Sequence, residues 1–162
     1  MTEETTPDLE NTLVIELETG KVTIEMLPDL APTHVARIKE LAREGFYDGI
    51  VFHRVIDGFM AQTGDPTGTG TSGSGKKLRA EFTQEPFERG VVGMARAQNP
   101  HSGDSQFFIM FDSAPSLNGQ YTVWGRVTDG MELVDGIKKG APGSGAVDDP
   151  DRMLSVKVLA DI

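Results

Sequence analysis

From Leu13 to Val158 the chain is built of short runs that alternate apolar and polar residues, punctuated by glycine. A period of two is what a β-strand shows when one face packs and the other meets solvent. Leu13, Ile15 and Leu17 alternate with Val14, Glu16 and Glu18, and Val22, Ile24 and Met26 with Thr23 and Glu25. The Thr19-Gly20 pair between the two runs predicts a β-hairpin. Further strands are expected over 46–56, 91–95, 106–111 and 121–127, and a last one carries Leu154, Val156 and Val158. Nineteen glycines in 162 residues supply the turns that so many short strands need.

The period changes twice. From Ala31, the residues Val35, Ile38, Leu41 and Ala42 share one helical face, with Pro32 in the first turn and Gly45 as the stop. Later, Asp129 is expected to cap a short helix with Met131, Val134 and Ile137 on one face and Gly140 beyond its lysines. Many short strands with one helix near each end favour a closed barrel or a sandwich over a βαβ fold. No internal repeat and no domain linker is visible, so residues 12–162 read as one domain behind a flexible acidic tail, 1–11.

Charge and composition exclude several function classes. The chain has no cysteine, which removes disulfides, thiolate metal sites, Fe–S clusters and cysteine nucleophiles. Its net charge of −10 argues against a nucleic-acid or anionic-membrane partner, because phosphate binding needs clustered cations. The start is acidic rather than a basic segment followed by an apolar core, and no run approaches the roughly 20 apolar residues of a membrane span. A cytoplasmic protein is the expectation.

Several motifs compete for the chemistry. Gly68, Gly70 and Gly73 match a dinucleotide fingerprint, and Gly70, Gly75 and Lys76 match most of a phosphate-binding loop. Both motifs need a strand before and a helix after, whereas more loop follows here, and Lys77 stands where a magnesium-binding hydroxyl belongs. His34, His53 and His101 lack metal-pair spacing, so no metal is expected. Ser105 lies in GDSQFF, not in a nucleophile elbow.

The segment from Phe52 to Gln62 is different in kind. It sets Arg54 and Gln62 among aromatic and sulfur side chains, and the run from Ser105 to Met110 repeats the theme. In a strand Gln106 and Phe108 share a face while Phe107 points the other way, and His53 points away from Arg54. Two readings stay open at this level. Either the rings are all core and Arg54 reaches to solvent, or they form an apolar pocket with a few fixed donors.

FHRVIDGFMAQTGDPTGTGT, followed by GVVGMARA, SQFFIM and LNGQYTVWGRV, resembles the cyclophilin family of peptidyl-prolyl isomerases, in order and over nearly the whole chain. The PHSGDSQFF variant has a bacterial look. The resemblance implies a mainly β fold, a closed eight-stranded antiparallel barrel capped by two α-helices. It implies isomerisation of X-Pro bonds in peptides and in unfolded or folding proteins, without a cofactor and with a monomer as the expected state.

By motif position the resemblance puts the active arginine at Arg54, with Gln62 and Gln106 beside it. It puts substrate contacts at Phe59, Met60, Ala95, Arg96, Phe108, Leu117 and Tyr121. Three positions depart from the pattern. Ser116 stands where many members have a tryptophan that helps bind cyclosporin, so weak binding of that drug is expected. Tyr121 replaces a histidine, and Arg96 an asparagine, of the eukaryotic type. A proline-peptide binding module with little turnover and a nucleotide binder are the competing functions. The presence of Arg54 speaks against the first, and the loop context against the second.

Overall fold

The computed structural model describes residues 8–162. Eight strands form one antiparallel sheet: β1 (Thr12–Leu17), β2 (Gly20–Met26), β3 (Arg54–Ile56), β4 (Met60–Thr63), β5 (Val91–Met94), β6 (Phe107–Met110), β7 (Val123–Asp129) and β8 (Ser155–Val158). Their order is β3-β4-β6-β5-β7-β2-β1-β8, every neighbouring pair antiparallel. The eight-stranded antiparallel sheet is barrel-like, as expected from the sequence, and no strand ladder joins its edge strands β3 and β8. The chain just before each of them crosses the seam instead. Val51 bridges Arg152, and the Phe52 N–H donates to the Asp151 carbonyl at 2.8 Å.

The seam explains why the strand expected over 46–56 shrinks to Arg54–Ile56. Phe46 to Gly49 is spent on turns that bury Tyr47 and let its hydroxyl donate to the Ser105 carbonyl at 2.9 Å. The first hairpin turns one residue earlier than its sequence suggests, over Glu18-Thr19, with Leu17 paired to Gly20. In the last strand Val156 and Val158 are buried, but Leu154 precedes the ladder and is 42% exposed.

Helix α1 (Pro32–Arg43) buries the expected Val35, Ile38, Leu41 and Ala42, and also His34, and packs on β8. Its N-cap residue, Ala31, offers no side-chain oxygen. Glu81, from a distant loop, accepts from the Thr33 and His34 N–H groups at 3.2 and 2.9 Å, and from His34 Nδ1 at 2.6 Å. The two backbone N–H groups are orphan donors of a helix start, satisfied by a carboxylate.

Helix α2 (Met131–Asp135) is not capped by Asp129, which belongs to β7. Gly130 stands at the N-cap with φ +85°, where an added Cβ would lie 2.5 Å from the Lys21 carbonyl oxygen, so the position excludes any side chain. The helix stops at Gly136, ahead of the lysines, although Ile137 is buried as expected. Of the tail expected over 1–11, residues 1–7 lie outside the described residues. Leu9–Asn11 forms a 3-10 turn capped by Asp8 and tied to α1 by Glu10, which pairs with Lys39 and Arg43 at 3.0 and 2.9 Å.

The central strands carry apolar side chains on both faces. Ala61, Val92, Met94, Phe107, Ile109 and Trp124 join the main core, with Leu13, Ile15, Ile24 and Val158. Their neighbours Met60, Val91, Phe108, Met110 and Val123 point to the opposite face and, with Phe87, make a second cluster. The candidate site residues collect around this second cluster.

Candidate active site

Strand register brings the key residues side by side. Arg54 pairs with Gln62 across β3 and β4, and Gln62 with Phe108 across β4 and β6. Arg54 Nη1 donates to Gln62 Oε1 at 3.3 Å, Gln62 Nε2 to Gln106 Oε1 at 2.9 Å, and Gln106 Nε2 to the Ser72 carbonyl at 2.9 Å. The Ser144 carbonyl accepts from Arg54 Nε at 3.3 Å. Both glutamine amides and one side of the guanidinium are therefore fixed before any ligand arrives.

Beside this polar row lies a cavity of about 190 Å³ lined by Arg54, Phe59, Met60, Gln62, Ala95, Arg96, Phe108, Leu117 and Tyr121. Nine of the ten residues singled out in the sequence thus surround one space. The tenth, Gln106, reaches it through Gln62 and lines an adjoining cavity. A larger cavity, about 600 Å³, lies between β2 and the turn that carries Leu27 and Leu30. Its charged groups are the carboxylates Asp8, Glu25 and Asp29, with no cationic donor, so size does not locate the chemistry here.

Two contributors have no signal in the sequence. Phe87 stands alone in a polar stretch, yet its buried ring stacks on Phe108 at 5.7 Å and meets Tyr121 edge-on at 6.3 Å. Gly93 leaves room for both phenylalanines, since a Cβ there would lie 2.7 Å from the Phe87 ring and 2.8 Å from that of Phe108. The segment 141–147 likewise carries no motif in the sequence. It holds Arg54 in place through the Ser144 contact and through the Val55 N–H, which donates to the Gly145 carbonyl at 2.8 Å.

The competing motifs have other employment. The glycine-loop amides already hold carboxylates of the chain itself. Thr67, Gly70 and Ser72 donate from their N–H groups to Asp65, and Ser74 and Gly75 to Asp104. Burial alone would raise the Asp65 carboxyl, but the bonds from Thr67, Ser72 and Gly70 outweigh it and hold the group well below the carboxylate range. The donors a phosphate would need are thus committed. The Ser105 hydroxyl donates to the Gly64 carbonyl at 2.7 Å and is buried, a structural role.

His53 lines neither cavity; it lies against Gly70, and burial lowers its pKa, a shift that Asp65 opposes. Among the described residues no three His, Asp or Glu side chains come together to hold a metal, and no helix is long and apolar enough to cross a membrane. The pocket therefore offers fixed donors and apolar walls, with no nucleophile paired to a base.

Known proteins share this arrangement of sequence and fold. The sequence model of the cyclophilin type peptidyl-prolyl cis-trans isomerase family matches residues 12–158. A probable peptidyl-prolyl cis-trans isomerase of Brucella suis is 55% identical over 167 aligned residues, spanning 95% of this chain and 85% of that one. Peptidyl-prolyl cis-trans isomerase B of Bacillus subtilis is 46% identical over 127, spanning 76% and 88%. Among solved structures, a Hirschia baltica cyclophilin superposes with a TM-score of 0.85 at 29% identity, covering 96% of this chain and 76% of that one. A cyclophilin-type isomerase of Cryptosporidium parvum, crystallised in the presence of the dipeptide Ala-Pro, gives 0.82 at 29% identity, covering 91% and 98%. With the match spanning all eight strands, the chain belongs to the cyclophilin-type peptidyl-prolyl cis-trans isomerases.

Proposed function

We propose that Arg54 is the residue that accelerates rotation, acting on an X-Pro bond whose proline ring occupies the adjoining apolar cup. The observation that carries this is the placement of a fixed guanidinium at the rim of that cup, with Nε and Nη1 held by Ser144 and Gln62 and Nη2 donating to no acceptor among the described residues. At about 190 Å³ the cup is smaller than the roughly 300–1,000 Å³ of drug-sized sites and suits one small ring. The Ala-Pro dipeptide used with the Cryptosporidium relative supports proline peptides as ligands, and folding chains offer the same bond.

Rotation about a peptide bond is resisted by resonance, with a barrier of about 18–20 kcal/mol. At the top of that barrier the imide nitrogen is pyramidal and has regained a lone pair. A donor that meets the lone pair binds the twisted state better than either planar state, and that difference is the catalysis. Arginine suits the task because its charge is permanent and its donors are rigidly disposed. Phe59, Met60, Phe108, Leu117 and Tyr121 grip the ring, while Gln62 and Gln106 hold the flanking backbone. No bond to the protein forms, no proton moves and no cofactor takes part.

The test is a set of Arg54 variants assayed on a short X-Pro peptide by NMR exchange. Arg54→Ala should lower turnover on the order of 10²-fold, as loss of one preorganised donor does elsewhere. Arg54→Lys should also be poor, since an ammonium does not reproduce the fork. Near wild-type turnover in the alanine variant would refute the assignment.

A further inference from the structure

The proline cup has a neighbour, and its charge is unlike that of the rest of the protein. Gln62, Ala95 and Arg96 line both the cup and a second cavity of about 330 Å³, bounded also by Lys77, Asp104 and Gln106. In a chain of net charge −10, this space is flanked by two cations and one acid. The acid is already engaged: Asp104 accepts from the Ser74 and Gly75 N–H groups at 2.9 and 3.0 Å and from the Ser74 hydroxyl at 2.5 Å. Among the described residues neither Lys77 nor Arg96 has a carboxylate partner.

Arg96 is also immobilised in advance. Its Nε donates to the Gln120 carbonyl at 2.9 Å, and its Nη1 to those of Ala97 and Gln98 at 2.9 and 3.3 Å. The guanidinium lies 4.8 Å from the Tyr121 ring centroid and 5.9 Å from that of Phe82. Nη2 donates to no acceptor among the described residues. A guanidinium held by carbonyls and rings has already lost its rotamer freedom, so an anion that pairs with it does not bear that cost.

We infer that the second cavity takes the carboxylate side chain of a substrate Asp or Glu close to the proline, so that acidic X-Pro segments are preferred clients. This rests on the function proposed above. Near a wet surface such a pair is worth a few-fold rather than orders of magnitude, about three- to fivefold in kcat/KM at low salt. It should fade as the Debye length shrinks.

The experiment uses blocked peptides that differ only in Glu, Gln or Lys at the first and second positions on either side of an Ala-Pro unit. Isomerisation is followed by NMR exchange, without an auxiliary protease that has its own charge preference. The expected order is Glu, then Gln, then Lys, at one or more positions. The Glu-to-Gln ratio should drop toward one in 0.5 M salt (a Debye length of about 4 Å), in the exposed-site variant Lys77→Gln, and further in Lys77→Gln with Arg96→Gln. Equal rates for the Glu and Gln peptides at every position would overturn the inference, as would a preference that survives the double variant. Turnover of none of the peptides would instead defeat the isomerase reading on which it rests.

Discussion

Phe107 and Phe108 are adjacent in β6 and belong to different regions of the molecule. Phe107 is 0% exposed, edge-on to Tyr47 at 5.5 Å and to Trp124 at 5.3 Å, in a core closed on every side. Phe108 is 5% exposed, stacked on Phe87 and edge-on to Tyr121 at 5.5 Å, in a cluster with one side open as the cup. The interior is closed on itself, whereas the outer cluster leaves a cavity beside it. A strand can thus give stability with one face and recognition with the other, and changes on the two faces should separate those properties.

The largest separation should come from the two phenylalanines themselves. Phe107→Ala should cost about 3–5 kcal/mol, seen as a lower urea midpoint. Phe108→Ala should cost less, at or below about 3 kcal/mol, because one side of its ring is already open. Its KM for proline peptides should rise about tenfold, equivalent to about 1.4 kcal/mol of lost ring contact. Equal stability losses with an unchanged KM for Phe108→Ala would erase the distinction between the faces.

Gly93 tests whether packing in the outer cluster governs the cup. Gly93→Ala should cost about 1–3 kcal/mol by overpacking and should slow turnover by pushing Phe108 into the cup. Adding Phe87→Leu should recover part of both, since it removes one of the two rings that collide with the new methyl. Stability lost with turnover intact would show that the rings behind the cup do not set its shape.

Ser116 probes the rim of the open region. It is exposed in the 3-10 turn Pro115–Leu117, directly before the cup residue Leu117. An indole there would add a broad apolar wall and an N–H donor. Calorimetry should find cyclosporin bound at least about tenfold more tightly by Ser116→Trp than by the native chain, with peptide turnover little changed. Equal drug affinities would show that this position does not limit binding.

The smallest effect should be that of pH on turnover. The proposed step transfers no proton, so the rate should be flat from about pH 6 to 8. Stability should not be. Burial lowers the His34 pKa despite its bond to Glu81, so below the ordinary histidine value of 6.5 the unfolded chain binds the proton first. Burial would raise Glu81, but His34 and two backbone N–H groups outweigh it and lower its pKa. Its contribution is present above its ordinary value of 4.5 and is lost as pH falls through the lowered one. Urea melts against pH should therefore weaken on the acid side while the rate stays level. A rate that falls across the histidine range with the fold intact would implicate His53.

Periodicity alone revealed the hairpin, the buried face of α1 and the opposite directions of Phe107 and Phe108, because these depend on residues two to four positions apart. The motif resemblance supplied Arg54 and its companions as types in order. Their meeting was decided elsewhere, by the register that sets Arg54 beside Gln62 and Gln62 beside Phe108, and by a carbonyl 90 residues away at Ser144. The same holds for Phe87 behind the cup, for Asp65 claiming the glycine-loop amides, and for the seam that shortens β3. Each of these is a contact between segments far apart in the chain. Local sequence carries the propensity for a strand, a turn or a helix. Which segments then satisfy one another's amides, carbonyls and apolar faces is settled only when the whole sheet has curled and brought distant segments into contact.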